Sequence, residues 1–98
     1  MIVRIVRMTF EKGKEQDFLD FFDQKGKHIR SQDGCTFLEI YQDKHDPLVM
    51  ASYSYWESEE HLNTYRKSEF FGSFWPVIKK WFSAPPQAHS YEVKRKLL

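Results

Sequence analysis

Apolar residues along the chain fall in blocks whose period changes from two to near four and back. Residues 2–10, Ile-Val-Arg-Ile-Val-Arg-Met-Thr-Phe, are β-branched and apolar on both faces, which predicts a strand covered on both sides. Arg4 and Arg7 are set into opposite faces of that strand. After a turn at residues 11–14, Phe18, Phe22 and Ile29 recur at helical spacing, widened by Leu19 and Phe21, which predicts a helix over 15–30. Asp17, Asp20 and Asp23 form its other face, and Lys25, Lys27, His28 and Arg30 near its end suit the helix dipole. Gly26 inside this helix costs about 1 kcal/mol relative to Ala, and predicts a close approach of backbone to the sheet. Asp33-Gly34 ends the segment.

Residues 35–42 and 48–56 alternate as two further strands, hairpinned through the polar turn 43–47. In the later strand Tyr53 and Tyr55 share one face, and Ser52, Ser54 and Trp56 the other. Ser58 is placed to cap a second helix with Glu59 and Glu60 in its first turn and Leu62 and Tyr65 on its inner face. Ser68 is placed to cap another helical segment, 69–82, which carries Phe71, Phe74, Trp75, Ile78 and Phe82. Pro76 is expected to kink or restart it, having no N–H to donate. A stiff loop at 84–86 leads to a last strand over 88–97, with Tyr91 and Val93 alternating against Glu92 and Lys94.

The order β-α-β-β-α-β predicts an α+β, ferredoxin-like sandwich, with residues 1–98 forming a single domain. One sheet face packs on the helices. The other is bare in a single copy, yet these strands are apolar on both sides, so a homodimer is expected. Composition sharpens this. Nine Phe, five Tyr and three Trp make 17% of the chain, more rings than a small interior hides, and the surplus calls for an interface, a ligand pocket, or both.

A net charge of +1 supplies no bulk attraction to nucleic acid or to an anionic membrane. The RNA recognition motif shares the element order, but its third strand carries a basic-Gly-aromatic motif, and residues 48–56 hold neither a basic residue nor Gly. The only basic cluster is Lys94-Arg95-Lys96. No nucleic-acid or membrane partner is expected. No apolar run approaches the roughly 18 residues of a membrane span. Residues 1–7 lack the apolar stretch and cleavage site of a signal peptide, so a cytoplasmic location is expected. The single cysteine, Cys35, excludes an internal disulfide and reads as a small buried hydrophobe.

Several segments resemble the antibiotic biosynthesis monooxygenase family. They are the opening Ile-Val-Arg-Met-Thr-Phe, the Asp33-Gly34-Cys35 turn, Tyr55-Trp56-Glu57-Ser58-Glu59, and the run from Leu62 to Phe71 with its Tyr-Arg-x-Ser-Glu-x-Phe core. The resemblance spans nearly the whole chain. It implies a dimeric α+β barrel in which two sheets face one another, with a pocket in each subunit between sheet and helices. Members include oxygenases of aromatic phenols and quinols that use no metal or flavin, haem-degrading enzymes and sugar isomerases, so the family fixes the fold better than the chemistry. The haem-degrading branch carries an Asn, a Trp and an iron-ligating His where this chain has Val6, Tyr65 and Trp75. An indole nitrogen has no lone pair for iron, so haem degradation is not expected.

A cofactor-independent monooxygenase of a small aromatic phenol or quinol is the function the resemblance favours. Its chemistry calls for ionising the substrate, which can then reduce dioxygen itself. His61, four residues before Tyr65 at the start of the second helix, is the candidate base. The competing reading is a surface His in a first helical turn. His28 and His45 are expected in solvent, and His89, at the start of the last strand, is a weaker second candidate. Tyr65 is the candidate hydrogen-bond donor. Val6, Met8, Trp56, Phe71 and Trp75 are candidate pocket walls, with Trp56 and Phe71 mainly core and Tyr65 and Trp75 nearer a cavity. One of Arg4 and Arg7 is expected to reach a carboxylate, a substrate oxygen or solvent, and a structural salt bridge to Glu39 or Glu92 is the favoured reading. No pair of His has metal-ligand spacing, so no metal is expected, and the resemblance implies that no other cofactor is needed. The alternative is a non-catalytic dimeric barrel that binds a small ligand or serves as structure.

Overall fold

The computed structural model describes residues 1–98. Its elements are β1 (Ile2–Thr9), α1 (Lys14–Arg30), β2 (Cys35–Gln42), β3 (Val49–Trp56), α2 (Glu59–Arg66), α3 (Glu69–Lys79) and β4 (Gln87–Glu92). The strands form one sheet in the order β2-β3-β1-β4, every neighbour antiparallel. Helices cover one face, which gives the α+β ferredoxin-like fold.

Register settles which side chains meet. One row across the sheet is Leu38, Ser54, Arg4 and Ser90; the next is Ile40, Ser52, Val6 and Ala88. Both rows face the helices. The opposite face carries Val3 and Ile5 with a ring cluster of Phe37, Tyr41, Tyr53 and Tyr55, whose neighbouring centroids lie 5.1–6.3 Å apart.

The core is in two parts. Met8, Phe10, Phe18, Met50 and Ile78 make the larger buried cluster; Cys35, Trp56 and Leu62 make the smaller. Serine caps set the two later helices: the Ser58 hydroxyl accepts from the His61 N–H at 3.2 Å, and the Ser68 hydroxyl from that of Phe71 at 3.1 Å.

Four expectations are corrected. The last strand stops at Glu92, not residue 97, and all its residues are exposed. The third helix stops at Lys79, because the chain turns back there: Trp81 O accepts from the Glu11 N–H at 2.9 Å and Phe82 bridges Phe10. That helix runs through Pro76 without a restart. At Gly26 the crowding comes from the helix itself and not from the sheet, since an added Cβ would meet the Phe22 ring at 2.9 Å. No helix is long and apolar enough to cross a membrane.

Candidate active-site cavity

Along its helix-facing side, β3 presents Met50, Ser52, Ser54 and Trp56. Two fully buried large side chains flank two small ones. The helices bridge the large residues, and a cavity of about 230 Å³ remains above the serines. This lies below the roughly 300–1,000 Å³ usual for ligand sites and suits only a molecule of one or two rings. Its floor is Arg4, Val6, Met8, Leu38 and Ile40 around the serines. Phe18 and Phe21 of α1, Tyr65 and Arg66 of α2, and Phe71, Phe74 and Trp75 of α3 form its roof.

The roof rings are mutually stacked. Tyr65 lies over Trp56 with centroids 5.0 Å apart and planes 22° from parallel, and Phe71 lies over Trp75 at 5.6 Å and 21°. The Trp56 Nε1–H donates to Ser54 Oγ at 3.0 Å, which fixes the indole beneath Tyr65. Burial pushes the Tyr65 phenol well above its ordinary pKa, so it stays a neutral donor.

The polar residues of the wall are Ser52, Ser54, Tyr65, Arg4 and Arg66. No Asp, Glu or His lines it. Arg4 Nη1 donates to Ser90 Oγ at 3.0 Å. Burial, and then the nearby charge of Arg66, hold the Arg4 pKa below its usual value. The expected ion pairs to Glu39 and Glu92 do not form: Glu39 lies on the open sheet face, opposite Arg4, and both carboxylates are engaged by other partners. Glu39 accepts from the Tyr41 hydroxyl, and Glu92 pairs with Lys94 at 2.8 Å. Arg7 is exposed on the opposite sheet face.

Val6, Met8, Trp56, Tyr65, Phe71 and Trp75 all border the cavity. His61 does not. Its Nδ1 sits 2.6 Å from Ser58 Oγ, and its ring packs so tightly on the Asp33-Gly34 turn that a Cβ at Gly34 would lie 2.4 Å from it. Its Nε2 faces Asp33 at 3.7 Å and Glu57 at 3.9 Å. Leu62 and Tyr65 face inward from α2 instead, and the exposed Arg66 reaches the cavity rim. His89 pairs with Ile5 on the open sheet face, and His28 stacks on Phe70 at 3.8 Å. Cys35 is buried, and burial raises its thiol pKa, which makes it inert. No group of three or more His, Cys, Asp or Glu is arranged to hold a metal ion. Arg66, not singled out from the sequence, also borders the cavity; the available signal was its place four residues after the buried Leu62.

The family model for antibiotic biosynthesis monooxygenases matches residues 1–76, and the chain belongs to that family. Solved structures share the fold at low identity. A conserved protein from Methanosarcina mazei Go1 superposes with a TM-score of 0.88 at 19% identity, covering 96% of this chain and 94% of that one. An antibiotic biosynthesis monooxygenase gives 0.88 at 15%, covering 97% and 100%. A point mutant of SnoaB, a cofactor-independent oxygenase from Streptomyces nogalater, gives 0.86 at 10%, covering 98% and 95%. No curated protein matches the sequence.

Proposed function

We propose that this protein is a cofactor-independent monooxygenase of a small aromatic phenol or quinol. The observation that carries the reading is a ring-lined cavity whose only charged groups are two guanidinium groups. A flat substrate stacks among Tyr65, Phe71 and Trp75, and the Tyr65 hydroxyl donates to its ring oxygen. The positive field of Arg4 and Arg66 favours phenolate over phenol, and the released proton goes to water. The phenolate ring then supplies the electrons. A carbon–oxygen bond forms to dioxygen, and loss of water from the hydroperoxide leaves a quinone. One oxygen atom ends in product and the other in water, and the substrate is the sole reductant. His61, outside the cavity wall, has no part in this scheme.

The test is oxygen uptake with a naphthol and quinol panel, without added flavin, metal or haem. Rates should rise with pH, and the midpoint should follow the acidity of each substrate. His61→Ala should leave the rate within a few-fold. A single midpoint near neutrality for every substrate, abolished in His61→Ala, would restore a histidine base; no uptake with any substrate would leave a binding barrel. The working unit is a homodimer paired through the open sheet face, supported by the ring cluster of Phe37, Tyr41, Tyr53 and Tyr55 there. Sedimentation showing only monomer at micromolar concentration would remove that part.

A further inference from the structure

We propose that the cavity selects aromatic substrates bearing a carboxylate, bound by Arg4 and Arg66. This rests on the cavity being the substrate site, and it adds a charge requirement to it. Arg4 uses one donor on the neutral Ser90 hydroxyl, and a guanidinium has five. Arg66 approaches closely enough to depress the Arg4 pKa, and neither cation forms a salt bridge within the chain. Every other lining residue is uncharged. The two cations border one apolar cavity whose wall holds no carboxylate; solvent screens the exposed Arg66, while the half-buried Arg4 keeps unused donors.

The missing negative charge therefore arrives with the ligand. A planar carboxylate matches the forked donors of a guanidinium in two parallel hydrogen bonds, which an ammonium could not offer. A neutral phenol leaves those donors without an anion until it ionises. A hydroxyaryl carboxylate supplies one on binding, with one cation for the carboxylate and the other for the developing phenolate. The apolar remainder of the wall and the 230 Å³ volume restrict the rest of the molecule to one or two rings.

Binding alone tests this, read from quenching of tryptophan fluorescence by 2-naphthoate, its methyl ester and 2-naphthol. The carboxylate should bind at least about 10-fold more tightly than the ester, the scale of one charge-assisted hydrogen bond. Arg4→Gln and Arg66→Gln should each shrink that preference. Arg66 is exposed, so its variant remains informative if Arg4→Gln fails to fold. Equal affinity for acid and ester, or a preference unchanged in the folded arginine variants, overturns the proposal. If naphthols bind and consume oxygen without any preference for the acid, the charge requirement fails and the oxygenase reading survives. If none of the three ligands binds, both fail.

Discussion

Ser52→Leu should stabilise the fold and weaken ligand binding. Ser52 lies in the cavity floor, and its backbone pairs with Val6 and Ile40 whatever its side chain. An unfilled void costs about 24 cal/mol per Å³. A cavity of 230 Å³ thus corresponds to about 5 kcal/mol. Part of the rim is open to solvent, so water recovers some of this. A leucine entering the space gains roughly 1.5–3 kcal/mol of apolar burial and loses about 0.5–1 kcal/mol of rotamer freedom. The net gain is about 1–2 kcal/mol, or a rise in Tm of roughly 5–15 °C for a domain of this size. Calorimetry should compare variant and parent at one protein concentration, since dimerisation would shift Tm by mass action. The companion measurement is 2-naphthol binding, expected to weaken by more than about 10-fold as the ring loses its space. A variant that is less stable and still binds would refute the reasoning, because position 52 would then not face a void and the ligand would sit elsewhere.

Gly34→Ala should destabilise by roughly 2 kcal/mol or more, since Gly34 has φ +86° and the new methyl would meet the His61 ring. In a His61→Ala background only the steric part should be recovered, which a double-mutant cycle in urea would measure. Stability should also fall as pH rises above about 10, because native Tyr65 keeps its proton where the unfolded chain releases it. Urea midpoints between pH 8 and 11 should show a shallower loss in Tyr65→Phe. Tyr41, pushed up to about 12 by its hydrogen bond to Glu39, acts in the same direction, and Tyr41→Phe separates the two.

Element order, the boundaries of β2 and the caps at Ser58 and Ser68 were legible because they depend on local period and local hydrogen bonding. So were the wall positions Val6, Met8, Trp56, Tyr65, Phe71 and Trp75, since alternation and helical spacing assign faces. The charged part was not. Arg4 and Arg66 border one cavity only because α2 packs on β3, the neighbour of β1 in the sheet, a tertiary arrangement beyond local pattern. His61 was misplaced for a related reason. Four residues from Tyr65 sets it on a neighbouring line of the helix, but Ser58 and the Gly34 turn decide where the ring settles. Alternation groups Ser52 and Ser54 with Trp56 on one strand face, yet that grouping says nothing about volume. The void exists because large side chains on either side of them hold the roof away.

The division of the core into two clusters has a thermodynamic consequence. Met8, Phe18 and Ile78 meet the cavity as members of one cluster, and Trp56 and Leu62 as members of the other. Without ligand, the middle of the sheet at Arg4–Val6 and Ser52–Ser54 is the stretch where packing is thinnest. Those backbone amides lie in the most interior strands of the protein, yet they should open more readily than amides beneath either cluster. A bound ring joins the two clusters into one cooperative unit. The ligand then acts as a missing piece of the hydrophobic core, and amide exchange at mid-sheet should slow in proportion to site occupancy.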